Sequence, residues 1–509
     1  MKVFLLHADR DFEVTPELRD DVFEALHNPN RFALLNVKRN RTEAEPDAIT
    51  RDLELETLWN AMAAGDEFVY ETVKRATLSS LADADAIVYR QQVLADCLEH
   101  PQAVADLYAL ALEALEASRK VGGFWHNDRP DTILYRAVQI LTLHVDVLQR
   151  VRALADEHAA GFRSPGFTRF FAMLQEELSD DYLATIEDHL RELEFKHGLL
   201  ESAALAPGNR GTGYVVRRQR ERRWTERLPF ADKPPSHSFT IPPRDEGGFR
   251  ALEELRGRGL NHVANAVAQS ADHVSSFFSM LRLELAFYLG CVNLHARLEP
   301  TCFPEPVDGA LSAEELYDPG LALHLETPPV GNDLAADGRE LIIVTGANQG
   351  GKSTLLRALG VAQLMLQSGM FVAARSFRAG IATGVFTHYK REEDASLRAG
   401  KLDEELQRMS EIADQIRPGA LLLCNESFAA TNEREGSEIA RQVVRAMLDR
   451  DIRVVFVTHM YDLARSFDGT ALYLRADRDR SFRLREAEPL RTSYGADAYR
   501  RVFEGREVA

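Results

Sequence analysis

The sequence predicts a multidomain chain: a mostly α-helical core with long lever helices, followed by an α/β domain. Three observations predict it. Between about 48 and 300, apolar residues recur at helical spacing. A stretch rich in Gly, Pro and Arg, at about 205–248, interrupts that pattern and sits between two helical regions. Beyond "PTCFPEP", short β-branched runs alternate with helical ones, the pattern of a largely parallel sheet covered by helices.

The bulk properties set the limits. A chain of 509 residues suggests about two to four domains. Net charge is -18, so any polyanion site must be a local basic patch in a repulsive background. Cys97, Cys291, Cys302 and Cys424 are scattered with no CxxC pair, which argues against a disulfide framework or zinc site and fits a reducing cytoplasm. Apolar runs stay short of the ~18 residues of a membrane span, so no membrane role is expected. "MKVFLLHADRDF" is too short an apolar core for a secretion signal.

Residues 1–47 are expected to be a short lead-in. The core and lever then follow over 48–300. Leu134, Val138, Leu141, Val145 and Leu148 lie at spacings of 4, 3, 4 and 3, one face of a helix. Phe171, Leu174, Leu178, Ile186, Leu190 and Leu193 continue the pattern as a second helix. In the interruption, "GYVVRR" and "SFTI" resemble short strands. Val274, Phe278, Leu281, Leu285, Tyr288 and Val292 then share a stripe that predicts a helix over about 262–298, roughly 50 Å long. Two helical regions would thus carry a basic tip. Within residues 210–228 there are seven Arg and two Glu. Arg217, Arg218, Arg220, Arg222 and Arg223 are candidate DNA-binding residues, with Tyr214 and Trp224 placed to stack. The bland alternative is an arginine hairpin paired with acidic helices of its own chain.

The α/β domain is expected over 301–509. Its strongest signal is "LIIVTGANQGGKSTLLRAL", where Gly346 to Ser353 match GxxxxGK[ST] between a buried strand and an amphipathic helix. In such a P-loop, backbone N–H groups wrap phosphates at a helix N-terminus. Gly346, Asn348, Gln349, Gly350, Gly351, Lys352, Ser353 and Thr354 are the candidate ATP-binding residues. Lys352 would reach the β- and γ-phosphates, and the Ser353 hydroxyl would ligate Mg2+. "ALLLCNESF" ends a second strand at Asn425-Glu426, with Glu426 a candidate general base. "IRVVFVTHMYDL" places His459 just past a third strand end, where it could contact the γ-phosphate.

These motifs together resemble the MutS family, known for DNA mismatch repair. "TGANQGGKSTLLRALGVAQLMLQSGMFVAA" is similar to the family's TGPNxxGKST loop, helix and "G-x-(F/Y)-V-P-A" turn. "NESFAATNEREGSEIARQVV" resembles the family's stretch from an Asp-Glu strand end through its GTST-like signature. "VTHMYDLA", "TSYGADAYRRVF" and, upstream, "AIVYRQQVLADCL" extend the likeness. The resemblance implies an ABC-type P-loop ATPase domain using ATP and Mg2+. It also implies a homodimer, with ATP as a candidate trigger, in which Thr431 and Asn432 act in trans on the partner's nucleotide. The levers would form a clamp on structured or distorted DNA, read by shape more than by sequence.

The departures are as informative. Only about 47 residues precede the core, and Phe12 and Glu13 are adjacent rather than spaced as in the family's Phe-x-Glu wedge, so mismatch reading by a wedge is not expected. Asn425 stands where family members usually have a magnesium-holding Asp. It keeps an oxygen ligand but loses about one unit of charge, which lowers magnesium affinity without removing the site. The expectation is a slow but real ATPase; the alternative is an ATP-gated protein-interaction scaffold that barely hydrolyses. Tyr317 and Pro319, in "ELYDPG", are weak candidates for a base pocket.

Overall fold

The computed structural model describes residues 1–9, 48–121, 129–196, 198–208, 210–218, 237–325, 329–347, 349–391, 400–476 and 481–491. Asn348, Arg220, Arg222, Arg223, Trp224, Phe12, Glu13 and the 492–503 "TSYGADAYRRVF" stretch lie outside the described residues.

Helices begin where short polar side chains can satisfy the free N–H groups of a first turn. Asp66 accepts from Phe68 N and Val69 N at 2.8 and 3.2 Å, and so starts α3 (Glu67–Leu78), which follows α1 (Ala48–Asp52) and α2 (Leu55–Ala63). Asp83 starts α4 (Ala84–Glu99), and α5 (Pro101–Val121) and α6 (Pro130–His158) follow. The stripe from Leu134 to Leu148 is buried along α6. Ser164, with Pro165 at the first helical position, starts α7 (Pro165–Glu177).

The single helix expected through Phe171 to Leu193 is two. Helix α7 stops at Glu177, and Ser179 caps a new helix, α8 (Asp180–Leu193), by accepting from Tyr182 N at 3.3 Å. Asp180 and Asp181 in that first turn favour a fresh start, because their charges oppose the positive end of a helix.

The interruption holds one hairpin. Strands β1 (Glu201–Ala206) and β2 (Arg210–Val216) pair antiparallel, with Glu201 opposite Val216. "SFTI" is not a strand: Ser238–Ile241 is coil, with Phe239 exposed. Pro242 and Pro243 follow directly and remove two ladder donors.

The long helix, α9, runs Glu246–His295 and so starts well before the expected 262. Its 50 residues span about 75 Å at ~1.5 Å each. Asp245 caps it, accepting from Gly248 N at 2.9 Å. Its N-terminal part is largely exposed and carries Gly247, Gly248, Gly257 and Gly259, so it has little apolar stripe and weak propensity to announce it. The helix lies against α5 and α6. One 18-residue window of α9 is long and apolar enough to cross a membrane, at mean hydropathy 1.3, but 72% of it is buried inside the protein. The first residues of the chain are stitched to this helix: Leu5 N and Leu6 N donate to Glu284, and Tyr288 Oη donates to Leu5 O at 2.6 Å.

The α/β part holds two sheets. The smaller has the order β3 (Glu305–Pro306), β7 (Ser376–Ala379), β4 (Leu311–Leu316), β5 (Asn332–Ala335). The larger has the order β12 (Leu484–Glu486), β11 (Leu472–Ala476), β6 (Leu341–Gly346), β10 (Arg453–Val457), β9 (Leu421–Asn425), β8 (Val385–Tyr389). All its neighbours are parallel except β12 against β11. Four helices of this part matter below: α10 (Pro319–Leu325), α11 (Lys352–Gln367), α12 (Lys401–Gln415) and α13 (Glu433–Leu448).

Helix α11 is where the two parts meet. Nearly every residue from Leu355 to Gln367 is buried. A Cβ on Gly360 would come within 2.7 Å of Leu423 on β9 and 2.8 Å of Leu53 in the helical part, so the helix is clasped between them. Its C-terminal end is tied by Leu81 N to Gln367 O at 2.8 Å, and by Arg90 Nη1 to Ser368 O at 3.0 Å. Arg90 and Gln91, which the sequence offered only as part of a family-like segment, are buried; Gln91 Nε2 donates to Pro304 O at 2.9 Å.

Candidate nucleotide site

Strand β6 lies inside the larger sheet and all six of its residues are buried. The chain leaves it through a glycine-rich turn and enters α11. Gly346 has φ 117°, and a Cβ there would sit 2.3 Å from Ala476 O and 2.6 Å from Ala476 N. Gly351 has φ 89° and precedes the first helical residue. Both positions demand glycine. Gln349 also has a positive φ, 63°. Lys352 is 5% exposed and folds back on the turn, its Nζ donating to Gly346 O at 3.0 Å and Ala347 O at 2.8 Å. Burial pushes its pKa down to about 8, while the Glu426 carboxylate pulls the other way.

Ser353 and Thr354 follow on the first turn of α11. The Ser353 hydroxyl donates to Asn425 Oδ1 at 3.1 Å. Two oxygen donors from elements 72 residues apart therefore converge beside the turn, and hard oxygen donors suit magnesium. Among the described residues no group of three His, Cys, Asp or Glu forms a metal cluster elsewhere. The donor set fits a magnesium ion held by few protein ligands.

Glu426 follows Asn425 at the end of β9, and its N–H donates to Val457 O, the end of β10, at 2.9 Å. His459, two residues past β10, places Nε2 2.7 Å from Glu426 Oε1. The hydrogen bond to His459 holds the Glu426 carboxyl below its usual range, against burial, with the His459 and Lys352 charges helping. It is an ionised acceptor whose charge acts on Lys352. The parallel sheet achieves this: β6, β10 and β9 are adjacent, and all three end at one edge.

Thr431 and Asn432 lie on the turn that follows Glu426. Asn432 caps α13, accepting from Glu435 N at 3.0 Å and donating through Nδ2 to Glu435 Oε2 at 3.2 Å; the Thr431 hydroxyl also donates to Glu435. Both are on the surface. Gly436 fixes this arrangement, since a Cβ there would lie 2.4 Å from Phe428 O.

The base-pocket candidates are corrected. Tyr317 is 3% exposed and Pro319 is buried, so neither presents a face to a base. The sequence missed what lies between them: Asp318, fully buried, pairs with Arg357, one turn along α11 from Ser353, and Arg357 also pairs with Glu54 of the helical part. It also missed His388, considered below.

At the hairpin, Arg217 Nε donates to Ser202 Oγ at 2.8 Å, and Arg218, 78% exposed, pairs with Glu192. Tyr214 does not stand free among arginines; its ring lies 5.9 Å from the Arg258 guanidinium on α9.

Two family models match consecutive parts of this chain: the MutS2 N-terminal domain over residues 82–301, and MutS domain V over residues 342–473. The DNA mismatch repair protein MutS of Porphyromonas gingivalis is 33% identical over 174 residues, covering 30% of this chain and 20% of that protein. MutS protein homolog 4 of Mus musculus is 28% identical over 254 residues, 48% of this chain and 25% of that protein. Endonuclease MutS2 of Thermus thermophilus is 30% identical over 151 residues, 29% of this chain and 20% of that protein. The chain thus spans a quarter or less of these relatives' length. The helical half and the glycine-rich α/β half match the same family in the order the fold places them, and the chain belongs to the MutS family.

Proposed function

We propose that this protein is an ATP-dependent DNA-binding protein, in which ATP binding and hydrolysis at an ABC-type P-loop domain gate a dimeric clamp on structured or distorted duplex DNA. The observation that carries this reading is the convergence of Lys352, the Ser353–Asn425 pair and the Glu426–His459 pair at one edge of the larger sheet. The turn from Gly346 to Ser353 would wrap the triphosphate, with Lys352 leaving the carbonyls of Gly346 and Ala347 for the β- and γ-phosphates. Ser353 and Asn425 would hold Mg2+, which when bound neutralises phosphate charge. Glu426 would orient and polarise the attacking water, held in place by His459, and His459 would also face the γ-phosphate. Thr431, half-buried, and Asn432, exposed, at the start of α13 would act on a partner's nucleotide in a homodimer.

The reading makes Lys352 a reporter. A polyphosphate raises the pKa of a nearby ammonium. Binding would then take up a proton wherever free Lys352 is neutral, above about pH 8. Affinity for ATP is expected to be flat below pH 7 and to fall as pH rises through 8, by up to about tenfold per unit. Fluorescent-ATP titrations from pH 7 to 9.5 check this, and pH-independent affinity across that range would disconnect Lys352 from the phosphates.

The DNA part rests on the hairpin arginines and the family. Reversing Arg217 and Arg218 to Glu, together with Arg222 and Arg223, is expected to weaken branched-duplex binding at least tenfold and to flatten its salt dependence. Unchanged affinity would remove the tip from the DNA site. One observation favours the scaffold reading instead: Arg218 is already paired with Glu192 of its own chain. ATP-driven dimerisation without DNA binding would support it. The primary test is ATP turnover with magnesium, alone and with plain or branched duplex, taken up in the Discussion.

A further inference from the structure

The turn that carries Glu426 has supports outside the site described above. Glu426 and Phe428 both occupy the left-handed region, at φ 54° and 63°, with Ser427 between them. Neither is glycine, so this backbone persists only where its surroundings over-determine it. His459 grips the Glu426 carboxylate, but the two residues after it are gripped by His388.

His388 lies on the edge strand β8 and is fully buried. Its Nδ1 lies 2.7 Å from Ser427 Oγ, and Ser427 Oγ lies 2.7 Å from the His388 carbonyl oxygen. Its ring stacks on Phe428, with centroids 5.3 Å apart and planes 25° from parallel. Nε2 lies 3.0 Å from the Glu405 carbonyl oxygen on α12. The Glu405 side chain is itself buried, and the backbone of Ala430 and Phe428 acts to lower its pKa against the burial that raises it. Two buried residues from elsewhere in the sequence, His388 and Glu405, thus hold the turn between the candidate base and Thr431 through Ser427 and Phe428.

Proton counting sharpens the assignment. Ser427 has one proton to give. If it goes to His388 O, the bond between Ser427 and the ring needs a proton on Nδ1. Burial, aided by Arg408, pushes the ring's pKa down to about 4, so at neutral pH it carries a single N–H. The Nε2–H tautomer keeps both links, donating to Glu405 O and accepting the Ser427 hydroxyl at Nδ1, whereas the Nδ1–H tautomer holds Ser427 but leaves Nε2 with no proton for Glu405 O.

We propose that His388 is a positioning residue for ATP hydrolysis: through Ser427 and Phe428 it sets the direction of the Glu426 carboxylate without contributing to nucleotide affinity. This rests on the ATPase reading above. Lys352 and Ser353 sit on a different element, α11, so disturbing the 426–428 turn leaves phosphate binding intact. A displacement of the base by ~1 Å is enough to slow hydrolysis by about 10²-fold.

The test measures kcat for ATP hydrolysis and the Kd for ATP in the full chain, for wild type, His388→Phe, His388→Asn, Ser427→Ala and the Glu426→Gln blank. His388→Phe keeps a stacking ring and loses both nitrogens; His388→Asn keeps an amide, able to donate or accept, near the Nδ1 position. The expected result is a kcat lowered about 10²-fold in His388→Phe and Ser427→Ala, Kd unchanged within about threefold, and most of the loss recovered in His388→Asn. Full turnover in His388→Phe overturns the proposal, as does a parallel loss of kcat and Kd. Should His388→Phe fail to fold, Ser427→Ala decides by the same criteria, since it removes a single hydroxyl. Wild-type turnover equal to the blank overturns the ATPase reading and the positioning role with it, whereas turnover in wild type with unaffected variants overturns only the positioning role.

Discussion

Glu426→Gln is expected to lower ATP turnover by about 10²–10⁴-fold while ATP binding is retained. The substitution keeps the shape of the side chain and removes its charge. In the protein as folded, that carboxyl is held below its usual range by the hydrogen bond to His459, so it is ionised throughout the neutral range, and its charge acts on Lys352. An amide there neither polarises water nor keeps the same bond to His459. Steady-state hydrolysis with magnesium, with and without plain or branched duplex, measures the effect against this blank. Wild-type turnover above the blank means that Asn425 is tolerated beside Ser353, and DNA-dependent change identifies the regulating ligand. Turnover equal to the blank, with ATP still bound, means that the amide has made the protein a switch that holds nucleotide, and the scaffold reading gains.

The second large effect is on stability. Arg357→Ala is expected to destabilise the fold by about 3–5 kcal/mol at neutral pH, because it strands a buried carboxylate. Asp318 is fully buried, and burial already raises its pKa, with Arg357 the main opposing influence. Without the guanidinium the folded-state pKa rises further above the unfolded value. A carboxyl with a raised folded pKa penalises the fold in full above that folded pKa, and the penalty fades as pH falls through it toward the unfolded value. The variant's deficit is therefore largest at neutral and alkaline pH and shrinks on acidification toward the ordinary carboxylate range. Asp318→Asn in the same background is expected to recover much of it. Urea unfolding of the three proteins at two pH values checks this; a loss that is pH-independent and not relieved by Asp318→Asn would assign the effect to packing of α11 alone. Arg357 also pairs with Glu54, so the variant loosens the contact between the glycine-rich turn's helix and the helical part.

Much of this protein was determined by local sequence. The turn from Gly346 to Ser353 reads directly, because glycine is favoured where φ is positive and required where a neighbouring backbone would come within 3 Å of a Cβ, and Gly346 meets both conditions. The α6 stripe reads directly because burial of one face leaves a period of 3.6. The strands ending at Asn425 and Val457 read as apolar runs because they are covered on both faces. Even the break at Ser179 was present in the sequence as a cap followed by two acids, though the apolar period on either side overrode it.

Only the tertiary structure decided the rest. The early start of α9 carries little apolar signal, because that part of the helix is solvent-exposed. Tyr317 and Pro319 turned out to be buried, and the residue between them, Asp318, to be half of a buried ion pair with Arg357. Arg218, countable as free positive charge in the sequence, is paired with Glu192. His388 gives no local sign of its role, since its partners Glu405 and Ser427 lie 17 and 39 residues away and reach it only when the sheet and α12 are assembled. Backbone conformation leaves its mark on neighbouring residue types, whereas the partner of a buried polar group is chosen by folding, across distances that periodicity does not record.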